Sequence, residues 1–243
     1  MKRRSGDKTQ VPENTAVDAI GRVSSFSTYS SGSKTINGLL GGGYREGRLT
    51  ELFGRSGGGK SQLAMQAVLI AAKGGTRSLY IDTEGSFRPE RLEQMAKARG
   101  WETDVLLERI VYVRSDSSAE QMETIRGMAL RASTSSCRLV VVDTLTRNFS
   151  VELPGRSNMS SRQAALNVHL SEMARDAYLH GRAYLLTNRV TFGSMNDIGI
   201  GGRTVEQMVH VSLRLDKSGE SLRVTLLPNR ESGVIRITES GVD

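Results

Sequence analysis

Residues 54–61 read Gly54-Arg55-Ser56-Gly57-Gly58-Gly59-Lys60-Ser61, a run of residue types that can cradle a chain of phosphates. Glycines let consecutive backbone N–H groups turn inward around an anion. Lys60 adds a point charge able to reach β- and γ-phosphates, and the Ser61 hydroxyl can ligate Mg²⁺. With Gln62 behind it, the run is a candidate nucleotide site. Such chemistry uses a second carboxylate beside the metal, and Asp143, ending Arg138-Leu-Val-Val-Val-Asp143, stands where a strand would deliver one. It also needs a group to orient or deprotonate an attacking water. Glu84, closing Tyr80-Ile-Asp-Thr-Glu84, is eligible, and residue types alone leave Asp82 equally so.

Strand ends and a helix N-terminus must hold these groups. Arg48-Leu-Thr-Glu-Leu-Phe53 alternates polar and apolar like a strand, and residues 61–72 form a strong helix pattern stopped at Gly74-Gly75. Strand, glycine loop and helix are the order the chemistry requires. Before them the sequence predicts a short helix over 35–40. After them it predicts strands over 76–82, 109–113, 138–143 and 183–187. Helices are predicted over 89–98, 118–132 and 160–180. Beyond Gly202 the apolar period falls to two over 211–215, 222–226 and 234–237, with Lys217-Ser-Gly-Glu220 as a hairpin turn. The coarse map is a set of parallel βα units followed by an antiparallel meander.

The 243 residues suit a flexible arm over 1–25 and one α/β core domain over 26–243. A net charge of +7 fits a polyanionic partner as well as a solvated basic surface. The single Cys137 excludes an internal disulfide framework and fits a reducing compartment. No apolar run has membrane-span length and no apolar segment follows Met1-Lys-Arg-Arg4, so no secretory signal is read here and a cytoplasmic location is expected. His169, His180 and His210 lack metal-ligand spacing and read as surface or packing residues.

Four segments carry a family likeness: Leu39-Leu-Gly-Gly-Gly43, the run from Tyr80 through Thr-Glu-Gly-Ser-Phe-Arg-Pro-Glu-Arg91, Val141-Val-Asp-Thr-Leu-Thr146, and Gly155-Arg156 with Arg162-Gln163. Together they resemble the RecA/RadA recombinase family, in its archaeal and eukaryotic branch, over about residues 31–243. The resemblance implies a RecA-type P-loop fold: a twisted, mostly parallel sheet with helices on both faces and antiparallel C-terminal strands. It implies ATP and Mg²⁺ as cofactors, single-stranded DNA as a partner, and ATP packed between neighbouring subunits. Glu84 then matches the catalytic glutamate, with Lys60 beside it, and Arg88 the residue that stacks on adenine. Arg147, Arg156 and Arg162 fall in the likeness of a first DNA-binding loop. A second loop lies between Arg189 and Gly202, where Phe192 suits stacking on a base or tucking into the core.

Departures from the family pattern point to an accessory role. Thr187-Asn188-Arg189 replaces a strand ending in Thr-Asn-Gln, so a cation stands where an amide senses the γ-phosphate. Gln207 stands where the family has a sensing histidine. Glu13-Asn-Thr-Ala16 lacks the aromatic of a Phe-x-x-Ala docking peptide, and the short arm is expected to stand in place of the family's helix–hairpin–helix domain. Arg230 is a candidate arginine finger in trans, or an exposed turn residue. The expectation is a paralog similar to archaeal RadB, assisting the main recombinase or another repair protein, with weak ATP hydrolysis and possible homo-oligomers. Two competing expectations are a non-catalytic ATP-switched adaptor and a KaiC-like ATPase unrelated to DNA.

Overall fold

The structure, a computed structural model, describes residues 15–190 and 199–243. Within the stretch expected to be an arm, α1 (Ala16–Ser24) is helical. Thr15 caps it by accepting from the Asp18 N–H at 3.2 Å while the Asp18 carboxylate accepts from the Thr15 N–H at 2.9 Å. Val17, Ile20 and Val23 supply the helical period that the polar composition obscured. Residues 1–14 lie outside the described residues.

A two-stranded ribbon of β1 (Thr28–Tyr29) and β2 (Tyr44–Arg45) flanks α2 (Lys34–Leu40), which the left-handed Gly41 ends. Next come β3 (Leu49–Gly54), the glycine loop and α3 (Lys60–Lys73), then β4 (Ser78–Asp82), α4 (Pro89–Ala98), α5 (Asp104–Leu107) and β5 (Ile110–Arg114). The chain continues through α6 (Ser118–Gly127), α7 (Ala132–Ser135), β6 (Leu139–Asp143), α8 (Arg147–Glu152), α9 (Met159–His180) and β7 (Ala183–Arg189). It closes with α10 (Gly202–Met208), β8 (Val211–Ser218), β9 (Ser221–Leu227), β10 (Ser232–Thr238) and β11 (Gly241–Val242).

One sheet has the order β11-β10-β9-β8-β3-β7-β6-β4-β5. Neighbours from β8 to β5 run parallel and those from β8 to β11 antiparallel. The expected α/β fold with an antiparallel C-terminal extension is the one observed. The hairpin joining β8 to β9 turns on Gly219-Glu220, with Ser218 opposite Ser221 and Gly219 at φ +61°. Alternating strand residues fill two cores. Leu52, Tyr80, Val141 and Leu185 pack on α3, while Leu49, Ile81, Val140 and Leu186 pack with Leu166, Leu170 and Met173 of α9. Coverage on both faces is why β6 reads as an unbroken apolar run.

One further expectation changes. The helix expected over 118–132 breaks at Gly127, where the Leu130 and Arg131 N–H groups turn back onto the Gly127 carbonyl. The polar residues of β3 do not face water. Thr50 and Glu51 are buried, because β3 is paired on both sides and covered on both faces. Glu51 accepts from Asn188 Nδ2 at 2.7 Å and Ser212 Oγ at 3.1 Å, and burial raises its pKa above the ordinary carboxyl value. Among the described residues no helix is long and apolar enough to cross a membrane.

Candidate nucleotide site

The parallel strands bring their C-terminal ends to one edge, where α/β sheets bind ligands. There β3 runs into the glycine loop, whose Gly57 and Gly59 take φ +75° and +77°. Gly59 ends the loop with no side-chain cap, leaving the first N–H groups of α3 for an anion. A Cβ on Gly59 would meet Leu222 Cδ1 at 2.7 Å and Ile237 Cδ1 at 2.9 Å, so the loop is seated against β9 and β10. Ser56 through Gln62 line a cavity of about 230 Å³ with Glu84, Asp143, Thr144 and Arg189. Cavities of about 330 and 740 Å³ elsewhere are larger, but neither is lined by the phosphate loop. The donor set, not the volume, marks the site.

Gly54 and Arg55 contribute carbonyls: Lys60 Nζ donates to them at 2.9 and 2.8 Å. Burial lowers the Lys60 pKa below the ordinary ammonium value, with Asp143 opposing that shift. Asp143 is buried at the end of β6. Its Oδ1 accepts from Ser61 Oγ at 3.2 Å and from Thr187 Oγ1, and its Oδ2 from Tyr80 Oη at 2.6 Å and Ser86 Oγ at 3.1 Å. A hydroxyl, a carboxylate and room for phosphate oxygens form a hard oxygen set that fits Mg²⁺. Among the described residues no group of three or more His, Cys, Asp or Glu is placed to hold a metal ion by itself.

Geometry separates the two carboxylates that residue types could not. Asp82 is fully buried and spends itself on the loop after β4: Oδ1 accepts from the Glu84, Gly85 and Ser86 N–H groups and Oδ2 from that of Phe87, at 2.8–3.1 Å. Glu84 faces the cavity, accepting from Thr144 Oγ1 at 2.8 Å and from Arg189 Nη2 at 2.6 Å. Asp82 is therefore a positioning group that the sequence reading did not assign.

Arg88 is exposed and folds its guanidinium onto the Gly85 and Phe87 carbonyls at 2.8 and 2.9 Å. It is not among the residues lining the cavity. Arg91, one turn further along α4, donates to Gln62 Oε1 at 2.7 Å and to the Thr238 carbonyl at 2.6 Å. Its i+3 relation to Arg88 was the available sequence signal.

A family model described as Rad51 matches residues 22–242. The chain belongs to the Rad51 family. It is 34% identical over 235 residues to the DNA repair and recombination protein RadA of Ignicoccus hospitalis, covering 88% of this chain and 72% of that protein. It is 32% identical over 257 residues to the protein of the same description from Metallosphaera sedula, covering 99% of this chain and 79% of that one. The RecA/RadA likeness read from four motifs is borne out over nearly the whole chain.

The Rad51-family core also locates the remaining candidates. Arg156 is exposed in the connection between α8 and α9. Arg147 and Arg162 are half-buried: Arg147 Nη1 donates to Asn148 Oδ1 at 3.1 Å and Arg162 Nη1 to the Leu153 carbonyl at 2.6 Å. Gln207 is exposed on α10, and Arg230 sits exposed in the turn between β9 and β10 with φ +59°. Neither lines the nucleotide cavity of its own chain. Phe192 lies outside the described residues. His169 packs in the core and His210 accepts from the Leu49 N–H at 3.1 Å, as expected of structural histidines.

Proposed function

We propose that this Rad51-family chain is an ATP- and DNA-binding recombinase paralog that serves homologous recombination and DNA repair. It acts as an accessory to the main recombinase or another repair protein, in the cytoplasm with the nucleoid. The reading is carried by one convergence: the amides heading α3, Lys60, Ser61, Asp143 and Glu84 all border a single cavity. The relatives described as DNA repair and recombination proteins support the process. The P-loop amides and Lys60 hold the phosphates, and Ser61 and Asp143 hold Mg²⁺. The ion, when bound, neutralises charge on the phosphate oxygens. Glu84 orients the attacking water and takes its proton, while Asp82 fixes the loop that carries Glu84. Arg156, with Arg147 and Arg162 behind it, meets DNA phosphates.

ATP hydrolysis measured with and without single-stranded DNA across salt concentrations tests this reading. Slow turnover altered by DNA is expected, with DNA binding that weakens as salt rises. Arg156→Ala should lower the slope of log affinity against log salt by about 1. Salt-insensitive DNA binding would instead favour an ATPase that does not act on DNA. One observation supports a second reading, a non-catalytic ATP-switched adaptor: Glu84 Oε2 is turned toward Arg189 in an ion pair at 2.6 Å. If Glu84→Gln leaves repair in cells intact, the adaptor reading gains.

A further inference from the structure

The Asp143 carboxylate accepts four hydroxyls, from Ser61 and Thr187 on Oδ1 and from Tyr80 and Ser86 on Oδ2. An ionised carboxylate has room for about four donors, so this one is full. The two donors on Oδ2 are held very differently. Ser86 belongs to the loop after β4, and its bond is the longer, 3.1 Å against 2.6 Å for Tyr80. Tyr80 is fully buried in the middle of β4, which pairs with β5 on one side and β6 on the other. Its ring lies 4.8 Å from that of Phe87, which stacks in turn on Tyr112 at 4.6 Å. A hydroxyl on a ring wedged in this way has one direction in which to point.

The last torsion of an aspartate is broad, so its carboxylate plane is set by what its oxygens hold. Here Thr187 of β7 fixes one oxygen and Tyr80 of β4 the other, from opposite sides. With either hydroxyl gone, the plane is free to swing. We infer that Tyr80 is a positioning residue for Mg²⁺: its hydroxyl fixes the plane of Asp143 and keeps Oδ1 turned toward Ser61. Tyr80 itself is not among the residues lining the phosphate cavity, so it acts through Asp143 alone. Mg²⁺ demands near-octahedral ligands at about 2.0–2.1 Å, whereas Ca²⁺ accepts irregular ones at about 2.3–2.6 Å. A carboxylate held in one plane therefore favours Mg²⁺ over Ca²⁺. This role rests on the ATP–Mg²⁺ reading above and adds to it what makes the site selective for the smaller ion.

The test measures the affinity of the full chain for a non-hydrolysable ATP analogue in EDTA, in Mg²⁺ and in Ca²⁺. Tyr80→Phe deletes the hydroxyl and keeps the ring. It should cut the gain that Mg²⁺ gives over EDTA by about tenfold, as when other partners that orient a metal ligand are lost. The gain from Ca²⁺ should change less than about threefold. Affinity in EDTA should stay within about twofold, since the amides that grip phosphate lie on a different loop. A hydroxyl that only drained charge from Asp143 demands the reverse, with both ions binding more tightly to the variant. That result, equal losses for the two ions, or a loss of affinity in EDTA overturns the assignment. Ser86→Ala, which leaves Tyr80 in place, should lower the Mg²⁺ gain less than about threefold. A loss as large as that of Tyr80→Phe would place the role on the loop and also overturns it. A wild-type chain with equal affinity in EDTA and Mg²⁺ sinks the metal-site reading itself, whereas a normal gain unchanged by Tyr80→Phe removes only the role of Tyr80.

Discussion

Asp82 and Glu84 are carboxylates two positions apart whose roles diverge because one is buried at a strand end and the other lies just beyond it. Asp82 receives four loop N–H groups, so it fixes where the Glu84 backbone sits. Asp82→Ala strands those donors and loosens the loop. Single-turnover hydrolysis should fall by about 10²-fold, because catalytic groups displaced by about 1 Å lose that much. Nucleotide affinity should stay within about threefold, since the amides that grip phosphate belong to a different loop. Equal losses in both would mean that Asp82 supports the whole site rather than one catalytic group. The sequence offered both carboxylates but could not choose, because the choice depends on which one points back at its own loop. Arg88 and Arg91 pose the same problem: both lie in the recognisable run, and only the fold shows that Arg91, on α4, reaches Gln62 while Arg88, just before the helix, turns onto its own loop.

Elements were legible where one chemical signal dominated. Leu139–Val142 could only be a strand covered on both faces, and Pro89 with Gly100 bracketed α4 to within a residue or two. Elements defined by distant partners were less legible. Glu51 belongs to an alternating strand whose polar side the sequence leaves unassigned, and Asn188 and Ser212, 137 and 161 residues away, satisfy it inside the sheet. A shorter-range knot ties α9 to β7. Arg182, only 2% exposed, pairs with Asp176, which also accepts from Tyr184 Oη at 2.6 Å. Asp176→Ala takes the carboxylate from a buried phenol and from a buried guanidinium that keeps only the Cys137 and Ser135 carbonyls. The expected loss is about 3–5 kcal/mol in urea unfolding, as for other buried pairs broken on one side. Asp176→Asn keeps an acceptor oxygen and should lose less. A loss below about 1 kcal/mol for alanine would show that water reaches Arg182 when its partner is removed.

At the scale of the whole molecule, net charge and composition fixed the class but said nothing of how stability follows pH, which depends on which titratable groups folding encloses. His169 is fully buried between α6, α8 and α9. Its Nε2 lies 3.2 Å from Gln121 Nε2 and its ring 5.6 Å from that of Phe149. Burial, with Arg126 adding to it, lowers its pKa from 6.5 to about 3. A histidine held neutral by folding binds its proton more readily in the unfolded chain. Stability from this group is therefore complete above about pH 6.5 and is lost as pH falls from there toward 3. The loss should reach about 2 kcal/mol between pH 7 and pH 5, at about 1.4 kcal/mol per unit once the unfolded histidine is charged. His210 is shifted the same way, by burial and then Arg48, and adds to the slope in the same range. Denaturant unfolding of the wild type and His169→Gln at both pH values separates the two, because the His210 contribution is common to both proteins. The difference in stability between pH 7 and pH 5 should shrink by about 2 kcal/mol in the variant. An unchanged difference would mean that His169 can be protonated inside the folded core, with Gln121 and the helices around it making room for the charge.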